Sequence, residues 1–237
     1  MIAQGVDVLD IGAESSRPGA LPVDAQTELE RLMPVLELIT ARYDIAISVD
    51  TYKPEVMTAA VLAGAACIND IFALQKPNAL VTAAKLNVPV CLMHMHGTPE
   101  TMQQKLDIHD DVLFRLTAFF EERIAACLEA GLSKTQLILD PGFGFGKTVQ
   151  QNLMLTKQMA CLAARFEAWP ILLGFSKKST IGVVLNQTIG NRLPGSLALS
   201  VFVALNGVSM LRTHDVAETK QALEMIDVLM HINKEMT

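Results

Sequence analysis

The chain has 237 residues, of which 51% are hydrophobic and 19% are charged, and its formal net charge is −6. This composition excludes an intrinsically disordered protein and allows one substantial domain with a large buried core. The acidic balance gives no reason to expect a nucleic-acid partner, so an anionic substrate would have to bind at a local cationic site.

Neither the cysteines nor the apolar segments indicate a secreted or membrane protein. The cysteines form no CxxC pair and no His/Cys cluster with zinc spacing, and no signal peptide precedes the first predicted strand. The longest uncharged stretch, 193–211, contains proline, glycine and asparagine, so it predicts a buried helix followed by a buried strand rather than a membrane span. We therefore expect a cytoplasmic protein with reduced thiols at Cys67, Cys91, Cys127 and Cys161.

Short apolar runs alternate with longer segments of helical periodicity along the chain. Runs that are apolar on both faces are typical of parallel strands covered by helices. A parallel sheet with this many crossovers is either doubly wound or a closed barrel, and closed barrels of this type have eight strands. Seven runs are candidate strands: Val6–Ile11, Ile45–Asp50, Cys67–Asp70, Val90–His94, Leu137–Asp140, Ile171–Phe175 and Ser209–Thr213.

The helical segments carry start signals. Asp24 is a candidate cap of the first helix, which contains Pro34 and should be kinked there. Asp215 begins the last helix, with Glu218 three residues later in a capping-box-like pair. The second helix is predicted to start at Pro54. Four further helices are predicted over about 77–86, 111–130, 152–166 and 196–206.

Hydrogen-bonding side chains stand at the end of every predicted strand. In an α/β barrel these positions converge on the C-terminal rim, where active sites are built. Taken singly, Asp70 and Asp215 could be helix caps and His94 could be a satisfied core histidine, but the whole series predicts a functional rim. The series comprises Asp10, Asp50, Asn69, Asp70, His94, His96, Asp140, Ser176, Lys177, Lys178, Arg212 and His214.

The predicted rim is sorted by charge. Carboxylate and amide side chains lie on the earlier strands, whereas Lys178, Arg212 and His214 follow the last two. Loops after the final strands of barrels commonly hold phosphate, and a helix that starts at Asp215 would add free N–H groups beside His214. Carboxylates suit a ring with a guanidine-like edge, because they accept two parallel N–H bonds. The pattern predicts a substrate with a flat heterocycle and an anionic arm.

A glycine-rich segment follows the fifth predicted strand. It reads D-P-G-F-G-F-G-K-T over 140–148 and resembles a P-loop, but Pro141 occupies the position of the first P-loop glycine, and the GxGxxG spacing also fails. We therefore reject a nucleotide-binding loop. The glycines are better explained by a backbone that turns sharply past a flat ligand, with Phe143 or Phe145 as a wall.

Several motifs together resemble the dihydropteroate synthase family. The segment D-I-G-A-E-S-S-R-P-G over 10–19 is similar to the family signature. In family order follow S-V-D-T at 48–51, I-N-D at 68–70, C-L-M-H-M at 91–95, D-P-G-F-G-F-G-K at 140–147, G-F-S-K-K-S at 174–179 and R-T-H-D at 212–215. The resemblance covers essentially the whole chain. It implies an α/β fold, a TIM (β/α)8-type barrel with seven of its eight βα units present, in a single, N-terminally truncated pterin-binding domain over 1–237.

The resemblance implies a transferase of folate biosynthesis and a target of sulfonamides. The family reaction condenses 6-hydroxymethyl-7,8-dihydropterin diphosphate with p-aminobenzoate to give 7,8-dihydropteroate and diphosphate. Mg²⁺ as a cofactor and a homodimer formed through the late helices are implied as well. We expect these small molecules as partners, and neither nucleic acid nor a membrane.

The resemblance also implies which side chains carry the reaction. Lys178, Asp50 and Arg212 would be catalytic. The pterin would be bound by Asp50, Asn69, Asp140 and Lys178, with Asn69 and Asp140 gripping the amino-pyrimidine edge and Lys178 touching both substrates.

The remaining implied roles concern the diphosphate and p-aminobenzoate. The diphosphate would be bound by Arg17, Arg212 and His214. A mobile loop and two further side chains would form the p-aminobenzoate pocket: Ser16, Arg17, Pro18, Phe145 and Ser179.

The chain also departs from the family pattern. Ser16 stands where Thr is common and Lys177 where Arg is common, both mild changes. The family's first strand, whose Asn helps to bind the magnesium diphosphate, has no counterpart, so we expect no metal ligand among the residues present and a chain that is poorly stable alone. Two alternatives stay open: a catalytically impaired pterin-binding chain, and a pterin-dependent methyltransferase barrel, against which Arg212 and His214 argue.

Overall fold

The protein is an alternating α/β structure in the computed structural model, which describes residues 1–104, 106 and 111–232. Residues 105, 107–110 and 233–237, which belong to the predicted domain 1–237, lie outside the described residues. The strands described are β1 (Val8–Ile11), β2 (Ala46–Asp50), β3 (Cys67–Asp70), β4 (Val90–Met93), β5 (Leu137–Asp140), β6 (Leu172–Leu173) and β7 (Met210–Leu211). The α-helices described are α1 (Ala25–Arg42), α2 (Pro54–Leu62), α3 (Ala79–Leu86), α4 (Val112–Glu129), α5 (Val149–Lys157), α6 (Met159–Arg165), α7 (Ser179–Leu185), α8 (Leu193–Ala204) and α9 (Val216–His231).

The strands pair in parallel and in chain order. Strands β1–β5 form one sheet, and β6 and β7 form a second pair. A parallel bridge between Leu139 and Ile171 joins β5 to the chain just before β6. The register places Asp50, the last residue of β2, level with Asn69 of β3. Since neighbouring parallel strands end at the same edge, their last side chains form one row.

The two ends of this strand series approach each other at the carboxyl edge. In the described part of the chain, β1 pairs with β2 alone and β7 pairs with β6 alone. Arg212, which directly follows β7, nevertheless contacts Asp10 of β1, with 2.6 Å between Nε and Oδ2. The strands therefore curve around a common centre that is open between β7 and β1.

Two apolar clusters hold the helices against the strands. The larger cluster includes Phe120 of α4, Leu155 of α5 and Leu139 of β5, all fully buried. The smaller cluster packs Leu36 of α1 and other side chains of α1 and α2 against Ile47 of β2. Strands buried on both faces must be apolar along their length, which is why the seven runs are recognisable in the sequence.

One predicted helical segment differs from the sequence-based predictions. The segment 152–166 is divided into α5 and α6, because the backbone at Gln158 has a ψ of 12° and leaves the helical region. Helix α5 also begins earlier than predicted, behind a capping box of Thr148 and Gln151. Helix α1 continues through Pro34 as one helix, and the kink there stays a prediction.

The two strand-end aspartates that could be caps behave differently. The capping-box prediction for Asp215 is wrong, since its carboxylate makes no cap hydrogen bond and instead accepts one from Ser176 Oγ at 3.1 Å. Asp70 does hold the following turn, because its two carboxylate oxygens accept hydrogen bonds from the N–H groups of Phe72 and Leu74. Burial raises the pKa of Asp70 to about 6, against the effect of these two bonds.

Two further features concern the cysteines and the length of the helices. All four cysteines are free thiols, with Cys91 and Cys127 buried and Cys161 exposed. Among the helices in the described ranges, none is both long enough and apolar enough to cross a membrane.

Helix α4 offers a direct test of which face holds the core. Phe120 is fully buried and Phe114, on the same helix, is 73% exposed. We expect Phe120→Ala to lower the free energy of unfolding by about 3–5 kcal/mol, because it removes buried contacts and leaves a cavity. Phe114→Ala should change it by less than about 0.5 kcal/mol. Urea unfolding followed by circular dichroism measures both, and equal effects of the two variants would contradict this packing.

Candidate active site

The ends of the strands supply the polar side chains of one site. Asp10, Asp50 and Asp140 lie at or next to the last residues of β1, β2 and β5. Asn69 is next to the end of β3, and Arg212 follows β7. Because the strands are otherwise largely apolar, the change to polar residues marks the point where the core stops.

Arg212 makes the central contacts of this site. Its Nε lies 2.6 Å from Asp10 Oδ2, and its Nη2 lies 3.0 Å from Asp50 Oδ2. Asn69 donates a hydrogen bond from Nδ2 to the same Asp10 oxygen at 3.2 Å. One planar guanidinium therefore binds two carboxylates through two different nitrogen atoms, Nε and Nη2.

Two buried oxygen atoms in this group have no hydrogen-bond partner. They are Asp10 Oδ1 and Asn69 Oδ1. An unpaired buried acceptor costs about 1–3 kcal/mol, so it is uncommon in a core. Both oxygens belong to residues at the strand ends, so both are available to accept hydrogen bonds from the N–H groups of a ligand.

The carboxylates of the site are held in a way that disfavours their ionised forms. Burial and the neighbouring charge of Asp10 raise the pKa of Asp50 to about 7, although Arg212 acts in the opposite direction. Burial also raises the pKa of Asp140, against a hydrogen bond that the Gly142 N–H donates to it at 2.7 Å. Hydrogen-bond donors of a ligand would stabilise the charged forms.

Lys178 stands on the other side of the site, directly before α7. Its Nζ lies 4.1 Å from the centre of the Phe145 ring, within the range of a cation–π contact. Burial lowers the pKa of Lys178 to about 8, while Asp140 and Asp50 raise it. Lys178 is therefore cationic at neutral pH, between an aromatic face and carboxylates.

The glycine-rich loop 141–147 is held by a buried lysine, Lys147, that belongs to the loop itself. Lys147 Nζ donates hydrogen bonds to the carbonyls of Gly142 and Phe145 and lies 3.0 Å from His94 Nδ1. Gly142 has a φ of +67°, and a Cβ there would lie only 2.0 Å from the His94 carbonyl oxygen. The loop therefore needs glycine, and it holds Phe145 beside Lys178.

His94 belongs to the core and not to the chemistry of the site. It is buried, and its ring packs edge-on against Phe119 at 4.8 Å. Burial, with further effect from the charge of Lys147, lowers the pKa of His94 to about 2. A histidine that stays neutral at every physiological pH fits the satisfied core histidine considered from the sequence.

His214 lies at the end of the site where the cations collect. Its Nδ1 is 3.0 Å from Ser176 Oγ, and Ser176 Oγ donates to Asp215 Oδ2. Burial lowers the pKa of His214, and the charges of Lys177 and Arg212 lower it further. At neutral pH His214 is therefore a neutral hydrogen-bonding group held by Ser176.

The remaining predicted site residues lie on the outside of the site. Ser16 lines a small cavity together with Asp50, on the loop 12–24 that follows β1. Arg17 and Pro18, the outer part of that loop, are exposed, as is Ser179 at the start of α7. The structure thus joins the strand-end residues around Arg212 by direct contacts. It leaves Arg17, Pro18 and Ser179 exposed to solvent.

Sequence reasoning named Asp10 as a rim residue but gave it no role. Its contacts with Arg212 and Asn69 place it at the centre of the site. The sequence did indicate such a role, because Asp10 begins the motif D-I-G-A-E-S-S-R-P-G at the end of a predicted strand. The link between Lys147 and His94 had no such signal, because it depends on how two loops fold against each other.

Comparison with known proteins agrees with this geometry. The sequence profile of the pterin binding enzyme family matches residues 1–214. Dihydropteroate synthase of Escherichia coli strain K12 is 45% identical over 229 residues, which cover 96% of this chain and 79% of the relative. The chain belongs to the dihydropteroate synthase family.

Solved dihydropteroate synthases share the fold. The Yersinia pestis enzyme, in a complex with a sulfonamide drug, superposes with a TM-score of 0.93 at 42% identity, covering 98% of this chain and 83% of that one. The Xanthomonas albilineans dihydropteroate synthase with 4-aminobenzoic acid gives 0.91 at 42% identity, covering 98% and 82%. The parallel α/β fold predicted from the sequence is confirmed, and the identity to synthases favours that activity over a methyltransferase.

As a member of the dihydropteroate synthase family, the chain is a transferase of folate biosynthesis. Its reaction is the one that the motifs imply, the condensation of 6-hydroxymethyl-7,8-dihydropterin diphosphate with p-aminobenzoate. Pterin binding and the status of the family as a sulfonamide target follow from the same membership.

The raised pKa of Asp50 predicts a specific dependence of stability on pH. The folded state keeps a proton on Asp50 up to about pH 7, whereas the unfolded chain releases it near 3.8. The free energy of unfolding of the natural chain, relative to Asp50→Asn, should therefore fall as the pH rises from 4 to 7 and then level off. Chemical unfolding at several pH values measures this difference.

Asp24 provides a control of opposite sign. Hydrogen bonds from Thr27 lower the pKa of Asp24 below 3.8. The advantage of the natural chain over Asp24→Asn should be present above pH 4 and be lost as the pH falls below it. A difference for Asp50→Asn that changes with pH in the same direction as this control would contradict the raised pKa of Asp50.

Proposed function

We propose that the side chains at the strand ends bind the pterin diphosphate and p-aminobenzoate in the roles that the family resemblance implies. The observation that carries the proposal is the pair of unpartnered buried oxygens, Asp10 Oδ1 and Asn69 Oδ1, beside the Arg212 guanidinium. A pterin offers a row of ring and amino N–H groups that would complete these hydrogen bonds. The hydrogen-bond acceptors of the early strands match the pterin ring of the substrate, and the cations that follow the last strands match its diphosphate.

The pterin ring lies, in this proposal, between the early strands and Lys178. Asn69 and Asp140 accept hydrogen bonds from the amino-pyrimidine edge, and Asp50 is the second carboxylate near the ring. A carboxylate suits two adjacent N–H groups because its two oxygens accept parallel bonds. Asp10, which holds Arg212 and Asn69, orients this group of acceptors.

The diphosphate binds at the end formed by the cations Arg212 and Arg17 and the neutral hydrogen-bonding group of His214. In the reaction the bond between the exocyclic methylene carbon and the diphosphate oxygen breaks, and the electron pair leaves with the diphosphate. Cations near that oxygen stabilise the developing negative charge. Asp50 stabilises the positive charge that is delocalised into the pterin.

The arylamine then attacks the methylene carbon and forms the new C–N bond. The arylamine nitrogen is neutral at pH 7 and carries a lone pair, so it needs no strong general base, and its proton passes to solvent after the bond has formed. The neutral His94 is consistent with this. Phe145, Ser179 and the loop residues Ser16, Arg17 and Pro18 form the p-aminobenzoate pocket, and Lys178 lies between the two substrates.

Mg²⁺, which the family implies, does not fit the protein side chains described as a site of their own. No group of three or more His, Cys, Asp or Glu side chains in residues 1–104, 106 and 111–232 is placed to hold a metal ion. Asp10 and Asp50 are the nearest carboxylate pair, and Arg212 occupies both. We therefore derive no step of the reaction through the ion.

The strand series supports a (β/α)8-type barrel in which seven positions are filled by β1–β7. The eighth position lies between β7 and β1, whose facing edges are unpaired in the described residues while Arg212 bridges their ends. The free thiols support a reducing, cytoplasmic compartment.

A homodimer through the late helices is supported by exposed apolar side chains. Val183 of α7, Phe202 of α8 and Leu229 of α9 are each more than 40% exposed, and α8 lies against both α7 and α9. Contiguous apolar surface of this kind is typical of protein interfaces.

The variant Lys178→Met tests the proposed chemistry. It keeps the length of the side chain and removes the one cation proposed to touch both substrates. We expect turnover to fall by about 100-fold or more, since removal of one electrostatic stabiliser costs this much in comparable sites. Lys157→Met, on the exposed last turn of α5, is the matched control and should leave turnover unchanged.

A steady-state assay of dihydropteroate formation and a thermal melt on each variant give the result. Normal turnover in Lys178→Met would refute the role of Lys178. Pterin binding without turnover in the unsubstituted chain would favour the alternative of a pterin-binding chain that does not catalyse the reaction.

A further inference from the structure

A buried ion-pair cluster lies at the base of the loop 12–24, where Glu14 and Glu28 line a small cavity together with Ser16 and Asp50. Lys53, the residue before α2, places its Nζ 2.6 Å from Glu14 Oε2 and in direct contact with Glu28 Oε2. The Lys53 and Glu14 side chains are only 12% and 9% exposed, and Glu28 is 1% exposed. Three charged groups rarely lie this deep unless they are paired, so the cluster has a defined geometry.

The cluster connects both ends of the loop. Glu14 lies near its start, and the Glu14 oxygen that binds Lys53 also accepts a hydrogen bond from the Val23 N–H at 2.9 Å, near the end of the loop. Glu28 lies in the first turn of α1, the helix that begins where the loop ends. One ammonium group therefore joins the start of the loop, its end and the helix that continues from it.

The part of the loop between these fixed points is held differently. Residues 15–22 are mostly exposed, and they include the proposed p-aminobenzoate residues Ser16, Arg17 and Pro18. A hydrogen bond from the Gly19 N–H to the Pro99 carbonyl, 2.9 Å long, joins the tip of the loop to the loop after β4. The outer residues are thus held by a contact with another loop and not by the ion pairs at the base.

The charges make Lys53 necessary for this arrangement. Without its ammonium, Glu14 and Glu28 would be two buried carboxylates without a cation between them. Two like charges in a poorly solvated place repel strongly, so one glutamate would take up a proton or turn to solvent. If Glu14 turns away, its hydrogen bond to the Val23 N–H is lost and the two ends of the loop separate.

We infer that Lys53 is a positioning residue that fixes the base of the loop 12–24 and thereby sets the affinity of the site for p-aminobenzoate. The inference rests on the proposed function, because the loop matters for p-aminobenzoate only if Ser16, Arg17 and Pro18 border that substrate. Lys53 acts through Glu14, Val23 and the loop. The pterin-binding groups lie on the strand ends, where Arg212 and not Lys53 contacts Asp50.

The test compares Lys53→Met with Lys53→Arg. The methionine keeps most of the side-chain volume and loses the charge, whereas the arginine keeps the charge and can bind both glutamates. Arg165→Met is the matched control, since it breaks the exposed ion pair with Glu121 far along the chain. Hydrogen exchange of peptides covering 12–24 measures the loop, and steady-state kinetics measure KM for each substrate and kcat.

In Lys53→Met we expect exchange of the Val23 N–H region to become about tenfold faster, since its hydrogen bond opens locally. We expect KM for p-aminobenzoate to rise by about tenfold or more, because the loop residues lose their fixed position. KM for the pterin diphosphate should stay within about twofold of the unsubstituted value, and Lys53→Arg should restore both readouts.

Unchanged exchange in Lys53→Met overturns the inference whatever the activity. Faster exchange with an equal rise of both KM values also overturns it, because that is the behaviour of a general loss of structure. If the unsubstituted chain forms no dihydropteroate, the proposed function fails, and the exchange result still decides whether Lys53 holds the loop.

Discussion

The ion pairs of Arg212 with Asp10 and Asp50 are the interaction on which the site depends. They join the end of β7 to the ends of β1 and β2, although β7 pairs with neither of these strands in the described residues. Without the guanidinium, two carboxylates that are largely removed from water would face each other uncompensated, and such a group is strongly destabilising when buried. With it, Asp10 and Asn69 are fixed, each with one oxygen free to accept a hydrogen bond. The same contact that closes the strand series thus also prepares the binding surface.

Three lysines of this protein show how environment decides the role of one side-chain type. Lys147 is buried among carbonyls, burial lowers its pKa well below the ordinary value, and it fixes the glycine-rich loop. Lys53 is nearly buried between two glutamates, where hydrogen bonds to Glu14 and Glu28 raise its pKa against burial, and it fixes the loop after β1. Lys178 keeps a charge at neutral pH and remains partly accessible beside Phe145. Two lysines therefore hold the loops in place, and the third can contact substrates.

Much of this arrangement could be predicted from the sequence, because strand ends are visible in it. The change from an apolar run to Asp50, Asn69 or Asp140 marks both the end of a strand and the edge of the site, and parallel pairing brings such ends together. Contacts between distant loops could not be predicted. The pairing of Lys53 with Glu14 and Glu28, and the hydrogen bond that Asp215 accepts from Ser176, depend on side-chain directions that no periodicity encodes.

A crystal structure of the chain with a pterin diphosphate analogue would test most directly whether the strand ends form the substrate site. We predict that the ring edge lies within about 3.2 Å of Asn69 Oδ1 and of the Asp140 carboxylate, the ordinary range for N–H···O hydrogen bonds. The diphosphate should lie against Arg212 and His214, with Asp10 still bound to the guanidinium. A ring bound away from Asn69 and Asp140, or a diphosphate on the opposite side of the strand ends, would contradict this arrangement.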